Sequence, residues 1–384
     1  MKAYFVCYTY WPNKDGVQMV TQYLAEGLAT LGHDVTVVTT RQQAQPRLEA
    51  HNGVSIQRFQ MTKKLKVPVG EKVEFQKFLL ENLSAGDALI TVCSPSGFSA
   101  WTFEIVDKLP CKKILYQHGM YDGRLHLDRV HSAVRLAKLL LLTPYSEQYH
   151  KRHWKQIMQY DACIHLFEND SSYSYFERHG FHKNYVINNS CEEAVFLEQH
   201  DESIPAKYGI EKRYFLYVGN YCAAKNQMKA VRLFAQAACP DTDLVLIGST
   251  ENDYAKSVRA LIETQKATEG KVHLLTGISR EDTVELIKNS YACLLTSENE
   301  YLPITIIESL AAGKPYISTN VGVVPQLPGG VVGHNDEELT YWMRYFASHE
   351  DYVQQLGEIG HTYAVENCMP RDKVRKLEKI ILKV

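Results

Sequence analysis

Short apolar runs alternate with helical patterns along almost the whole chain, and that alternation leaves few folds open to it. In the first half the runs are Tyr4–Tyr8, Val35–Thr39, Val54–Phe59, Ala88–Cys93, Lys113–His118 and Ala162–Phe167. The second half repeats the style with Tyr214–Val218, Asp243–Ile247, Val272–Leu275, Tyr291–Thr296 and Tyr316–Thr319. Strand and helix in strict alternation build parallel sheets with helices on both faces. The helix after the first run shows its period plainly: Val17, Val20, Leu24, Leu28 and Leu31 recur every three or four residues, and Gly32 stops it. The two blocks join near Glu192–Lys212, and 384 residues are about twice a typical domain. The predicted fold is therefore α/β, with two Rossmann-like domains whose parallel sheets face each other across a cleft. Ligands of doubly wound sheets bind beyond the carboxyl ends of the strands, which puts the predicted site in that cleft.

Composition narrows the function classes. With 45% hydrophobic and 22% charged residues the chain reads as an ordinary globular protein, and a net charge of −2 excludes a generally basic nucleic-acid binder. The charge is uneven: residues 1–190 hold 22 Lys+Arg against 17 Asp+Glu, a net +5, and residues 191–384 hold 20 against 27, a net −7. A basic first half suits an anionic membrane surface; chance variation between two solvated surfaces explains it equally well. The segment Arg135–Met158 is open in the same way. Leu136 and Leu139–Leu142 ahead of Lys151, Arg152, His153, Trp154 and Lys155 form either a membrane-surface patch or a buried helix followed by a solvated basic one.

Nine cysteines show no paired metal-ligand spacing, and Cys7, Cys93, Cys163 and Cys293 lie in apolar runs, as expected of a reduced, cytoplasmic setting. No stretch reaches the ~18 apolar residues of a membrane span. The opening Lys2–Tyr8 mimics a short signal peptide, but Pro12, Asn13, Lys14 and Asp15 follow it without a small-residue cleavage site, so it is read as a first strand. Asp241-Thr242-Asp243 looks like a metal–nucleotide pair, yet it stands where a turn is expected before a strand. No metal and no cofactor are predicted. Gly219 and Gly248 do not make a G-x-G-x-x-G pattern, which leaves little support for a dinucleotide-dependent dehydrogenase.

The chemistry concentrates in Glu300-Tyr301-Leu302-Pro303-Ile304-Thr305-Ile306-Ile307-Glu308. An apolar strand runs into the turn Ser297–Glu300, and a helix opens at Pro303, whose missing N–H would be unpaired there anyway. The free N–H groups of a first helical turn, with the positive end of the dipole, suit a phosphate. Glu300 precedes the helix and Glu308 lies inside it, so both flank one ligand at its mouth. Carboxylates beside a phosphate are tolerated where they accept hydrogen bonds from hydroxyls, which sugars and riboses supply. The segment reads as a nucleotide-sugar site.

This pattern resembles the paired-glutamate motif of family-4 retaining glycosyltransferases, in an E-x-x-P-x-x-x-x-E variant. Other segments resemble the same family in order. Asp15-Gly16-Val17-Gln18 opens the first helix where the family has two glycines near the donor phosphates; here only Gly16 remains. Leu31–Val37 matches a helix-to-strand turn in which His33 is structural. Tyr116-Gln117-His118-Gly119 places His118 where the family has a histidine facing the donor sugar. Val186–Ser190 resembles the segment leading into the second domain. Phe215–Asn226 matches that domain's first strand and loop, with Gly219 and Lys225 in place but Asn220 where the family has an arginine. One cation for the departing diphosphate is thereby lost; Arg124 and Lys229 are the candidates to replace it.

The resemblance implies a GT-B fold: an acceptor-binding domain over 1–190, a nucleotide-sugar domain over 191–365, and a helix over 366–384 crossing back to the first. It implies a metal-independent, retaining hexosyl transfer from a nucleotide-sugar, UDP-sugar favoured over GDP-sugar, to a glycan or lipid-linked acceptor in bacterial surface polysaccharide biosynthesis. The setting would be cytoplasmic, with the inner membrane face as an anionic docking surface. The implied catalytic residues are His118, Glu300 and Lys225. Gly16, Gly219, Asn220, Lys225, Tyr301, Leu302, Pro303, Ile304, Thr305 and Glu308 would bind the donor. A nucleotide-sugar epimerase of the same fold and a catalytically degenerate transferase-like subunit are the alternatives.

Overall fold

The computed structural model describes residues 1–13, 15–42, 44–64, 67–119, 149–168, 170–239, 241–265 and 270–384. They form two compact units, Met1–Asn188 with Pro370–Val384, and Asn189–Met369.

The strands of the first unit are β1 (Lys2–Val6), β2 (Asp34–Thr40), β3 (Leu48–His51), β4 (Val54–Phe59), β5 (Met61–Lys64), β6 (Val67–Gly70), β7 (Ala88–Val92), β8 (Lys112–Tyr116), β9 (Ala162–His165) and β10 (Asn184–Val186). Eight of them make one sheet, ordered β10-β9-β8-β7-β1-β2-β4-β3 and parallel except for β3, which pairs antiparallel with β4. β5 and β6 form a separate antiparallel ribbon. The apolar start of the chain is thus a central strand, and strand order reverses between β1 and β7. On one side of the sheet Phe59, Phe75, Phe98 and Trp101 pack into an aromatic cluster; Phe103, Leu115, Ile157, Tyr160 and Phe176 form another core cluster.

The helix Pro370–Lys383 belongs to this unit. It lies so close to the helix Gly16–Thr30 that a Cβ on Gly27 would come 2.3 Å from a methyl of Val374. His33 Nε2 meets Glu378 Oε1 at 2.6 Å, and Lys112 Nζ donates to the carbonyl of Ile381 at 2.9 Å. Assigning the charges by unit sharpens the asymmetry. The first unit carries 28 Lys+Arg against 19 Asp+Glu, a net +9, and the second 14 against 25, a net −11.

The second unit is built on β11 (Arg213–Val218), β12 (Thr242–Gly248), β13 (Val272–Thr276), β14 (Ala292–Leu295), β15 (Tyr316–Thr319) and β16 (Gly330–Gly333). Its order, β13-β12-β11-β14-β15-β16, is all parallel, and the reversal falls between β11 and β14. In such sheets the crevice at that reversal, beyond the strand ends, is the ligand position. Among the described residues no helix is long and apolar enough to cross a membrane.

Candidate functional site

The loops after β11 and β14 meet at the reversal. Glu298 N donates to the carbonyl of Ala224 at 2.9 Å, and Thr296 Oγ1 to that of Asn226 at 2.9 Å. Tyr217 and Ser297, one on each side, share a hydroxyl–hydroxyl bond of 3.0 Å. Asn226 takes a left-handed backbone (φ +52) to start the helix Gln227–Ala237, which turns the chain sharply after Lys225. The outcome is an ion pair at the mouth of the crevice: Lys225 Nζ lies 2.5 Å from Glu300 Oε1.

The helix Ile304–Ala311 opens beside this pair. Pro303 is its N-cap rather than its first residue, and no side chain caps it. Elsewhere Asp15, Ser96, Asp170, Asn252, Ser279 and Asn335 each accept a backbone N–H at a helix start. Because proline has no acceptor to fold back, the N–H groups of Ile304 and Thr305, both half-buried, stay available with the positive end of the dipole. The preceding loop is held from two sides. Val323 N donates to Tyr301 O at 2.9 Å and Asn189 Nδ2 to Leu302 O at 2.7 Å. Gly322, at φ +54, lies against it so tightly that a Cβ would sit 2.2 Å from Tyr301 O.

Glu308 is buried, and its Oε1 is taken by Arg280 Nη2, while Arg280 Nε bonds Glu192 Oε1 at 3.1 Å. Burial pushes the Glu308 carboxyl above the usual glutamate range, against the pull of Arg280. Arg280 is the residue that the sequence did not signal: it opens the helix after β13, 28 positions from Glu308, with no motif around it. Gly219 follows β11, its carbonyl accepting from Gln227 Nε2 at 3.1 Å. Asn220 is exposed; Gln227 Nε2 also reaches its carbonyl, and its Oδ1 accepts from Ser249 Oγ at 2.7 Å. Of the two cations considered as replacements for an arginine there, Lys229 is paired with Asp336 Oδ1 at 2.6 Å. Arg124 lies outside the described residues.

In the first unit His118 stands two residues past β8. Its ring stacks on Tyr116 at 4.5 Å, its Nε2 is buried without a hydrogen-bond partner, and burial drops its pKa to about 3, so the imidazole is neutral. Gly16 is the first residue of its helix, whose N-terminus holds the Asp15 carboxylate: Oδ1 accepts from Gln18 N at 3.0 Å and Oδ2 from Thr9 Oγ1 at 2.6 Å. The Asp241–Asp243 pair sits at the amino end of β12, opposite the ligand edge. Asp243 accepts from Lys271 N at 2.9 Å and meets His273 Nε2 at 2.9 Å, which pins β13. Among the described residues no three His, Cys, Asp or Glu side chains group as a metal site. Of the segment Arg135–Met158, residues 149–157 are helical with Lys151, Arg152 and Lys155 exposed, while Leu136 and Leu139–Leu142 lie outside the described residues.

Residues 200–335, which contain this second-unit site, match the family model Glycosyl transferases group 1. A curated relative, N-acetyl-alpha-D-glucosaminyl L-malate synthase of Bacillus anthracis, is 24% identical over 154 residues. That match covers 39% of this chain and 38% of the relative, so the chain aligns with well under half of that protein's length. Solved structures match throughout. Sucrose-phosphate synthase from Thermosynechococcus elongatus superposes with a TM-score of 0.77 at 15% identity, over 100% of this chain and 98% of that one. Anabaena Alr3699/HepE in complex with UDP-glucose gives 0.77 at 14% identity over 100% of both chains. WaaG, a glycosyltransferase involved in lipopolysaccharide biosynthesis, gives 0.71 at 18% over 99% of both. At such identities the likeness establishes the fold alone, an α/β fold of parallel sheets that matches the GT-B glycosyltransferase structures.

Proposed function

We propose that the chain is a metal-independent retaining glycosyltransferase, taking a sugar from a nucleoside-diphosphate sugar, UDP favoured over GDP, to a glycan or lipid-linked acceptor. The observation that carries this reading is the uncapped start of the helix Ile304–Ala311, set between the Lys225–Glu300 pair and the buried Glu308 at the reversal of the second sheet. The N–H groups of Ile304 and Thr305 bind the distal phosphate, and Lys225 turns from Glu300 toward the diphosphate as charge builds there. Glu300, released, accepts a hydroxyl of the transferred sugar. Glu308, kept ionised by Arg280, accepts the ribose hydroxyls. In the first unit His118 offers a neutral imidazole to a sugar hydroxyl, able to donate or accept but not to act as a cation. The acceptor hydroxyl attacks the anomeric carbon on the face the phosphate leaves; its proton passes to the departing phosphate oxygen, giving a glycoside of unchanged configuration and a nucleoside diphosphate.

Bacterial surface-glycan synthesis at the inner membrane face is the setting that the charge supports, through the +9 of the first unit and its C-terminal helix. Along that helix Arg371, Arg375, Lys376, Lys379 and Lys383 are exposed beside a single exposed carboxylate, Asp372. A second reading, a degenerate subunit that binds nucleotide without turnover, is favoured by one observation: Asn220 brings no cation, and Lys225 is already neutralised by Glu300. The deciding experiment follows melting with UDP, GDP and ADP, and donor hydrolysis by UDP-sugars, all in EDTA. Stabilisation by UDP with slow release of free sugar supports the transferase. Stabilisation without release supports the subunit, release of an isomerised donor would indicate an epimerase, and activity restored only by manganese would overturn metal independence.

A further inference from the structure

The carboxyl edge of the first sheet holds an unusual concentration of unsatisfied polar groups. Ser94 Oγ, Gln117 Nε2 and His118 Nε2, on the loops after β7 and β8, are buried with no hydrogen-bond partner. Nearby in the chain order of the same edge, Tyr10 OH, Thr40 Oγ1 and Gln18 Oε1 are in the same condition. Buried polar atoms are nearly always paired, so a group of orphans calls for a partner. The two loops are tied together: Cys93 N donates to Tyr116 O at 2.8 Å and Ser94 N to Gln117 Oε1 at 3.1 Å. The second bond also fixes the Gln117 amide, leaving its Nε2 as the donor. Cys93, between strand and orphan, is held at φ +63, a left-handed backbone that a residue with a Cβ adopts at a cost and that gathers at ligand sites.

We propose that Ser94 and Gln117, with His118, form a hydroxyl-reading site for a neutral sugar ring, and that Ser94 and Gln117 set which sugar is accepted. The inference rests on the transferase reading and adds the residues and the charge class of the sugar. None of these six groups is a carboxylate, an ammonium or a guanidinium, and the two charged side chains with an orphaned atom at the same edge, Arg58 and Asp170, are already held, by Glu49 Oε2 at 2.7 Å and by Tyr173 N at 2.6 Å. Among the carboxylates at this edge, Asp15 and Asp170 stand at helix starts, which disfavours a phosphate or uronate. A sugar hydroxyl meets the need: it accepts from Gln117 Nε2, donates to the neutral His118 Nε2, and does either with Ser94 Oγ. Sites with buried hydrogen-bonding groups reject ligands lacking the matching hydroxyl strongly, because their own groups are then left unpaired.

The test uses the full chain with Ser94→Ala and Gln117→Leu, titrating UDP, UDP-glucose, UDP-glucuronate and methyl glucoside. UDP binding by the wild type checks the transferase reading by itself, since these variants leave the second unit untouched. The site is supported when each variant binds UDP as the wild type does but loses at least tenfold in affinity for UDP-glucose or for methyl glucoside. Loss confined to UDP-glucose identifies the transferred sugar as the ligand, and loss confined to methyl glucoside identifies the acceptor sugar. Unchanged affinity for both, or a loss that parallels UDP, overturns the site. Tighter binding of UDP-glucuronate than of UDP-glucose overturns its neutral character. Ser94→Ala should melt no lower than the wild type, because it removes a hydroxyl that makes no bond; a fall in melting point with unchanged sugar affinity would mark that hydroxyl as structural.

Discussion

Glu308 is the residue where stability and binding can be separated by choice of substitution. In Glu308→Ala, the half-buried Arg280 is left without its main partner. Breaking a buried pair from one side costs about 3–5 kcal/mol, and because Glu192 still holds Arg280 Nε at 3.1 Å the lower end, about 3 kcal/mol, is expected. Glu308→Gln keeps the shape and an oxygen for Arg280 while removing the charge. A charged hydrogen bond to a ribose hydroxyl contributes about 1.5–3 kcal/mol, so Glu308→Gln should weaken UDP binding by roughly 10- to 150-fold at about 1.4 kcal/mol per decade. Calorimetric titration of UDP, with melting curves to confirm the fold, reads both. Unchanged UDP affinity in a folded Glu308→Gln protein would remove the ribose role. The sign of the pH effect follows from burial, which raises the Glu308 pKa. The native state then binds the proton more tightly than the unfolded chain. The stability from that proton is present below the unfolded value and is lost as pH rises through the raised native one. Relative to Glu308→Gln, the wild type should therefore lose stability as pH rises through the window above the usual glutamate range. A wild type that instead gains stability relative to Glu308→Gln as pH rises through that window would refute the burial argument.

His118, with its pKa near 3, should show no imidazole titration between pH 5 and 8 by NMR; because the unfolded chain takes up that proton first, its contribution to stability is lost as pH falls below about 6.5. Gly322→Ala, which puts a methyl 2.2 Å from Tyr301 O at a left-handed backbone, should cost at least about 1–2 kcal/mol in melting experiments and weaken UDP binding by displacing the loop before Pro303; unchanged affinity would mean that the loop does not shape the site. The C-terminal helix should carry the first unit onto anionic vesicles at low salt, with Arg375→Glu/Lys379→Glu abolishing co-sedimentation, since screening at ~0.15 M already limits exposed charges to about 8 Å. Binding that survives both the substitution and high salt would assign the attachment to apolar insertion.

The central strands of both sheets were legible because they are runs of buried Val, Ile, Leu and aromatic residues, and a parallel sheet buries both of its faces. The strands that went unread lack that signal. β3 is a half-exposed edge, β5 ends in two lysines, β6 contains Pro68, β10 has three residues, and β16 begins and ends with glycine. Strand ends shifted for a similar reason: Cys93 and His118 continue the apolar run in sequence but lie in the turns beyond β7 and β8. The turn-and-helix before Glu308 was readable because Pro303 and the two glutamates are close in sequence. Arg280 was not, because only the packing of two helices brings it to Glu308. The charge split was underread by position alone, since Pro370–Val384, with six Lys and Arg against two acidic residues, folds onto the first unit.

The second-unit site has a charge balance that decides what it can hold. Lys225 and Arg280 face Glu300, Glu308 and Glu192, a net of one negative charge before any ligand arrives. A diphosphate therefore gains little from the side chains as a group. On the proposed reading its attraction comes from the N–H groups of Ile304 and Thr305 and from whatever share of Lys225 it takes from Glu300. The carboxylates gain their bonds only when hydroxyls accompany the phosphates. Affinity should then rise from pyrophosphate to UDP to UDP-sugar, with pyrophosphate weaker than UDP by at least the roughly tenfold that one charged hydrogen bond provides. Competition of the three ligands for the same site measures this order. Pyrophosphate binding as tightly as UDP would show that cations outside this group dominate, and would take the ribose and sugar roles from Glu308 and Glu300 together.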